Sequence, residues 1–284
     1  MEFKKENSLV FVPENTDEKL ALSRTTHMAI AAHQDDIELM ALHGILECFG
    51  LRDKHFTAII TADGAGSPRN GLYKDFSDEE MIRVRIEEQK KAAVVGEYSA
   101  LVMLGYSSKE IKDPTNSDVI DDYVKIFEST RPEIVYTHNL ADKHDTHLGV
   151  AVKAICAMRK LPENIKPKKV YGCEVWRDLD WVNDARKVVF DTSAHPNIAN
   201  ALISVFDSQI CGGKRYDLAA AGRRTANATY GASHSVDKAD SLSYAIDLTP
   251  LVYDENLDIV EYIACYIREF EYDVRAKLNK LIKN

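Results

Sequence analysis

The sequence predicts an α/β fold: a Rossmann-like, mostly parallel sheet flanked by helices, with a C-terminal elaboration. Short apolar runs alternate with amphipathic stretches along much of the chain, and the earliest runs read as strands buried on both faces. Two runs end in clusters of histidine and aspartate, at strand carboxyl ends, where open α/β sheets bind ligands. With 284 residues the chain can bury a sizeable core. One domain over residues 1–284 is expected, its core at about 27–210 and the elaboration at about 211–284.

Residues 28–32 and 56–61 read as buried strands, separated by a helical pattern in which Ile37, Met40, Ile45 and Phe49 recur. Ser77, Asp78, Glu79 and Glu80 spell a capping box: the serine accepts amide hydrogens, Glu80 reaches back, and a helix follows over 81–98. Residues 101–105 form the third strand. A loop with Pro114 leads to a helix over 119–129, Pro132 stops it, and 133–137 gives the fourth strand. Thr146 or His147 opens a helix with Val150, Val152, Ile155 and Met158 on one face, and Pro162 and Pro167 close that region. Residues 170–176 and 187–191 are further strand candidates. Past Pro196 the chain reads as helical to about residue 210, then loses periodicity over 212–236. A strand over 242–248 and a charged helix from about Asn256 complete it.

Composition excludes several functions. A formal net charge of -9 with no long basic block argues against a nucleic-acid partner. The first 26 residues show neither a secretory leader nor a membrane span, so the cytoplasm is the expected compartment. Cys48, Cys156, Cys173, Cys211 and Cys265 are scattered, with no C-x-x-C spacing, and read as reduced core residues. There is no G-x-G-x-x-G after the first strand and no phosphate-loop lysine motif, and the turn Asp63-Gly64-Ala65-Gly66 has too few glycines for a dinucleotide site.

The chemistry-bearing residues are His33-Gln34-Asp35-Asp36 after the first strand and Asp142-Lys143-His144-Asp145-Thr146-His147 after the fourth. Catalytic zinc takes about three protein ligands and keeps a position open for water, and His33, Asp36 and His147 supply such a set. Adjacent loop residues point apart, so Asp35 stays free to accept a proton as general base. His144, about a helical turn ahead of His147, faces the same cavity and is the candidate oxyanion stabiliser and proton donor, its ring protonated. Asp142 or Asp145 orients an imidazole. The expected cofactor is one Zn²⁺, with other divalent metals possible. His27, His43 and His55 read as boundary or surface residues, and His138 as a possible supporting residue beside the site.

The segment Ala32-His33-Gln34-Asp35-Asp36-Ile37-Glu38 resembles the first motif of the zinc-dependent de-N-acetylase family of LmbE-like and GlcNAc-phosphatidylinositol (PIG-L-like) proteins, with glutamine in place of proline. The resemblance runs through the loop at 61–67, the helix Arg83-Val84-Arg85-Ile86-Glu87-Glu88-Gln89, Leu104-Gly105-Tyr106 and Arg131-Pro132-Glu133, and covers about residues 27–155. It implies metal ligation by His33, Asp36 and His147, base work by Asp35, and oxyanion or acid work by His144. In His144-Asp145-Thr146-His147 the family's acidic residue has moved one place, which leaves its orienting task to Asp145 or Asp142. Gln34 lacks proline's fixed φ and is expected to loosen the loop.

The resemblance further implies hydrolysis of an N-acetylated amino sugar or glycoconjugate to acetate and free amine. Tyr106, Arg69, Tyr73, Trp176, Arg177 and Trp181 sit in or beside loops and are candidates for holding a sugar, with Arg69 foremost, while Tyr230 and His234 are candidates to close the pocket. Two other readings stay open: a metal-dependent hydrolase of another amide or ester, and a non-catalytic carbohydrate-binding protein on the same fold. The oligomeric state is open, a homo-oligomer included.

Overall fold

A computed structural model describes residues 1–282. Its centre is an eight-stranded sheet in the order β1-β4-β3-β2-β5-β6-β8-β7. The strands are β1 (Leu9–Phe11), β2 (His27–Ala31), β3 (Phe56–Ala62), β4 (Ala100–Tyr106), β5 (Ile134–His138), β6 (Lys169–Cys173), β7 (Val188–Asp191) and β8 (Leu242–Asp247). The five strands from β4 to β6 pair in parallel, as expected. Both margins are antiparallel, with β1 against β4 and β8 between β6 and β7.

Each central strand divides its side chains between two cores. Met28 and Ile30 of β2 face one layer while Ala29 and Ala31 face the other, the two-residue period of a pleated strand. Between the strands run α1 (Glu18–Ser23), α2 (Asp36–Met40), α3 (Leu42–Leu46), α4 (Asp78–Val95), α5 (Ser108–Lys112), α6 (Asp118–Thr130) and α7 (Asp145–Arg159). After β7 come α8 (Pro196–Ser204), α9 (Asp207–Ile210) and α10 (Tyr216–Tyr230), and after β8 come α11 (Thr249–Tyr253) and α12 (Ile259–Leu281). Ile126, Phe127, Val150 and Ala154 fill one core beside Met28 and Ile30. Ile37, Leu42, Ala93 and Tyr98 fill the other.

The capping box is formed at both ends: Ser77 Oγ accepts from Glu80 N and Glu80 Oε2 accepts from Ser77 N. Five local expectations are corrected. The helix expected from Ile37 to Phe49 is two short helices that meet at Ala41, whose φ of -113° and ψ of 22° leave the helical region. The helical run after Pro196 is likewise broken, into α8 and α9. The stretch 212–236 contains a fifteen-residue helix, α10, whose buried residues include Arg224 and Asn227, so its inward face carries no apolar period to read. His43 is an inward contact rather than a surface residue, with Nδ1 3.0 Å from the Tyr136 hydroxyl and its ring stacked on Phe190. All five cysteines are free, but only Cys48 and Cys173 are buried and Cys211 is exposed. No helix among the described residues is long and apolar enough to cross a membrane.

Candidate metal centre and its clefts

β2 and β5 are neighbours, yet the chain leaves β2 toward β3 and β4 on one side and leaves β5 toward β6 on the other. A crevice opens where the winding reverses, outside the carboxyl ends of the strands. The turn after β2 and the start of α2 bring His33, Asp35 and Asp36 into it, and the loop after β5 and the first turn of α7 bring Asp142, His144 and His147.

Three donor atoms converge there. His33 Nδ1, Asp36 Oδ2 and His147 Nε2 stand 3.2 Å from one another on all three sides. That is the edge of a tetrahedron, roughly 3.3 Å, formed by ligands about 2.0 to 2.1 Å from a common centre. Burial raises the Asp36 carboxyl's pKa, but His147 and His33 outweigh it and hold the group well below its ordinary range, so it stays charged. The donor set, two imidazoles and one carboxylate, suits zinc and the other first-row divalent ions. The residues therefore fit a mononuclear divalent metal.

Supporting groups fix these donors. Asp36 Oδ2 also accepts the backbone N–H of His33 at 2.7 Å, closing the loop on itself. His138 Nε2 accepts from Ala32 N at 2.9 Å, and its ring stacks on His147 with centroids 3.9 Å apart. His138 is fully buried, and burial followed by the charge on His147 depresses its pKa. Asp142, not Asp145, faces His147: its Oδ1 lies 3.6 Å from His147 Nδ1 and accepts from His144 N at 3.0 Å, while Oδ2 accepts from Trp176 N at 3.2 Å. Asp145 is exposed in the first turn of α7. The His144 ring stands edge-on to His33, centroids 5.0 Å apart, and is held below its ordinary pKa by burial and by the facing charges of His147 and His33.

Asp35 is outside the donor triangle and immobilised. Its φ of +89° is left-handed, a conformation costly for any residue but glycine, asparagine or aspartate. Its N–H donates to Gln89 Oε1 at 3.1 Å, and its Oδ2 accepts from Arg85 Nη2 at 3.1 Å. The same nitrogen donates to the Gln34 carbonyl. Arg85 is itself positioned by Glu88, at 3.7 Å, which accepts from the backbone and hydroxyl of Ser208 on α9. Burial raises the pKa of the Asp35 carboxyl, opposed by Arg85 and helped by Asp36.

Gln34 does not loosen the loop. It is buried, and its Nε2 donates to Ala62 O and Asp63 O at 3.3 Å each. Gly64 makes room for it: φ is +85°, and a Cβ there would come within 2.6 Å of Gln34 Oε1. Glu38 of the same motif is structural, accepting from Gln89 Nε2 at 2.8 Å and from the Tyr98 hydroxyl at 2.7 Å. Burial lifts its carboxyl to about 7.

Two clefts adjoin the triangle. One, about 390 Å³, holds Asp35, His33 and His144 and is walled by polar groups such as Asp63, Ser67, Gln209 and Lys214. The other, about 230 Å³, runs toward α10 and β8. Asp36, Trp176 and Tyr216 line both. Trp176 thus lines the site, under the Lys214 ammonium 5.0 Å above its ring. Several other candidates do not. Arg69 is tied back to Asp78 and to Ala65 O and lines neither cleft. Tyr106 is buried in the core with its hydroxyl on Asp122 Oδ2. Tyr73 gives its hydroxyl to Asp207, and Trp181 packs edge-on against Phe270. Arg177 and the exposed Tyr230 and His234 also lie off both clefts.

The match of residues 28–158 to the model of the GlcNAc-PI de-N-acetylase family, PIG-L, agrees with this geometry. Residues 28–158 are a PIG-L domain. No curated protein sequence matches the chain. Among solved structures, the fold is shared with GalB, the 4-carboxy-2-hydroxymuconate hydratase of Pseudomonas putida KT2440, at 18% identity over 79% of this chain and 96% of that one, TM-score 0.60. It is shared with the N,N'-diacetylchitobiose deacetylase of Pyrococcus horikoshii at 14% identity, 81% and 86% coverage, TM-score 0.64. A zinc-inhibited form of the teicoplanin deacetylase Orf2 matches at 13% identity, 78% and 98% coverage, TM-score 0.54. These likenesses speak for the fold, which hosts a hydratase as well as deacetylases.

The PIG-L domain supplies every donor of the triangle, while Trp176, Lys214, Tyr216 and Arg223 of the cleft walls lie beyond it. Residue types alone assigned no role to Arg85, Glu88 and Gln89. Their signal is three polar residues at i, i+3 and i+4 on the same buried face of α4 as Met81 and Ala92.

Proposed function

We propose that this protein is a zinc-dependent hydrolase that removes the N-acetyl group from an amino sugar or glycoconjugate. The observation that carries the reading is Asp35: a carboxylate beside the donor triangle but outside it, held by Arg85, with polar groups opposite. Binding alone needs no such spare base. His33 Nδ1, Asp36 Oδ2 and His147 Nε2 would hold the ion, which when bound polarises the amide carbonyl and acidifies water. Asp35 takes the proton from the attacking water as the new C–O bond forms, and returns it to the nitrogen as the C–N bond breaks. His144 donates an N–H to the oxygen that gains charge. Hydroxyls of the departing sugar meet Asp63, Ser67, Gln209 and Lys214 in the larger cleft, with the Trp176 face available for stacking.

The test is acetate release by zinc-loaded protein from a panel of N-acetylated amino sugars. Release that is abolished in Asp35→Asn supports the reading. Absence of release across the panel, with sugar binding intact, would make the chain a carbohydrate-binding protein instead.

A further inference from the structure

The smaller cleft has no task in the reaction as described. It shares Asp36 with the larger cleft, whereas Asp35 and His144 line only the larger one. Its wall is mainly carbon: Leu39, Val175, Trp176, Tyr216, Ala219 and Ala220. The charged groups in that wall are already engaged by the protein. Glu174 accepts from Asn227 Nδ2, Tyr244 N and Leu179 N; Arg224 donates to the carbonyls of Glu38 and Leu39, and Arg223 to that of Val175.

An amide bound across the triangle must send its two halves to different sides. The proton returned to nitrogen comes from Asp35, so the amine belongs in the larger cleft, beside Asp63, Ser67, Gln209 and Lys214, and the acyl group is directed into the smaller one. The methyl of an acetyl group is about the size of one water, roughly 30 Å³, and leaves most of the 230 Å³ unfilled. A cavity of about 150 Å³ is enough for benzene. We propose that the smaller cleft is an acyl site, and that this chain prefers N-acyl groups longer than acetyl, straight carbon chains of about four to six carbons. The inference rests on the hydrolase reading above, keeps its metal, its base and its amino-sugar half, and replaces acetyl by a longer chain as the preferred acyl group.

The experiment is a series of N-acyl glucosamines from acetyl through butanoyl to hexanoyl, with kcat/KM for each. Each methylene buried adds up to about fourfold, so the butanoyl compound is expected to be turned over about tenfold better than the acetyl one. In Ala220→Leu, which adds bulk on a half-buried position of α10, the hexanoyl-to-acetyl ratio falls at least tenfold. Acetyl preferred over every longer chain, or a ratio unmoved by Ala220→Leu, overturns the proposal. So does a preference for succinyl over butanoyl, which would hand the cleft to Arg223. A second readout does not need turnover. The chain has two tryptophans, and in Trp181→Phe only Trp176 remains to report carboxylates titrated against the metal-loaded protein. Hexanoate binding tighter than acetate supports the acyl site even if no amide is cleaved, an outcome that would sink the hydrolase reading alone. Equal binding of the two acids counts against the acyl site.

Discussion

Arg85 Nη2 lies 3.1 Å from Asp35 Oδ2 and donates at the same time to the carbonyl of Gln34, so one guanidinium fixes both the side chain and the backbone of the turn that presents the base. Both bonds leave one guanidinium nitrogen whose direction is fixed by the planar group, a geometry that an ammonium on lysine's shorter, flexible stem does not reproduce. Arg85→Lys is therefore expected to retain metal and fold while turnover falls by about ten- to a hundredfold, the loss of one charge-assisted hydrogen bond at the base. Kinetics beside metal analysis decide it. A loss of metal in step with turnover would assign Arg85 to the ligands' support instead.

Asp35→Asn should keep its metal and lose about 10² to 10⁴ in turnover, because asparagine tolerates the left-handed backbone at φ +89° but accepts no proton. His33→Ala and His147→Ala should lose the ion. Elemental analysis of the three variants separates the roles, and metal loss in all of them would make Asp35 a ligand.

Asp142 and Asp145 are discriminated by affinity. Asp142→Ala removes the carboxylate that faces His147 Nδ1 and holds His144 N and Trp176 N, and a loss of about 10- to 100-fold in metal affinity is expected. Exposed Asp145→Ala should leave affinity unchanged. Chelator competition measures both.

Gly64→Ala forces a side chain onto a left-handed residue and into Gln34 Oε1, at a cost of about 1 kcal/mol or more. That is a melting temperature lower by about 2 to 4 °C per kcal/mol. Gln34→Ala relieves the clash but loses its own two hydrogen bonds to Ala62 O and Asp63 O, so it should lower the melting temperature less in the Gly64→Ala background than in the parent. Equal lowering in both backgrounds would show that the loop is not held as described.

His27 gives a pH dependence away from the metal. Burial lowers its pKa to about 4, so the ring is neutral when folded. The unfolded chain takes up the proton first, near 6.5, and stability is full above that value and declines as pH falls toward 4. The decline attributable to this residue is at most about 3 kcal/mol. His27→Gln should flatten that limb in denaturant titrations at pH 7, 6, 5 and 4. An unchanged slope would mean other groups govern it.

The parts of the fold legible in the sequence are those where side chains obey one period. β2, β3 and the Ser77 cap follow from local rules, and the donor set follows from residue types at strand ends. The illegible parts bury polar groups. α10 turns Arg224 and Asn227 inward, and α4 turns Arg85, Glu88 and Gln89 inward, so the apolar signal is weak where the site needs hydrogen bonds. Arg69 is absent from the clefts for a different reason: its guanidinium is taken by Asp78 at the start of α4 and by the Ala65 carbonyl, pairings that the sequence alone does not reveal.

The division between the triangle and the walls sets how such a protein can diverge. Every donor, and Asp35 with its arginine, comes from before residue 158, whereas the partition between the clefts is built by Trp176 and Tyr216 and the acyl-side wall largely by α10. Mutational drift in the later third can redraw what enters without disturbing the atoms that react. Two descendants of one ancestor can therefore share all their chemistry and compete for none of the same molecules.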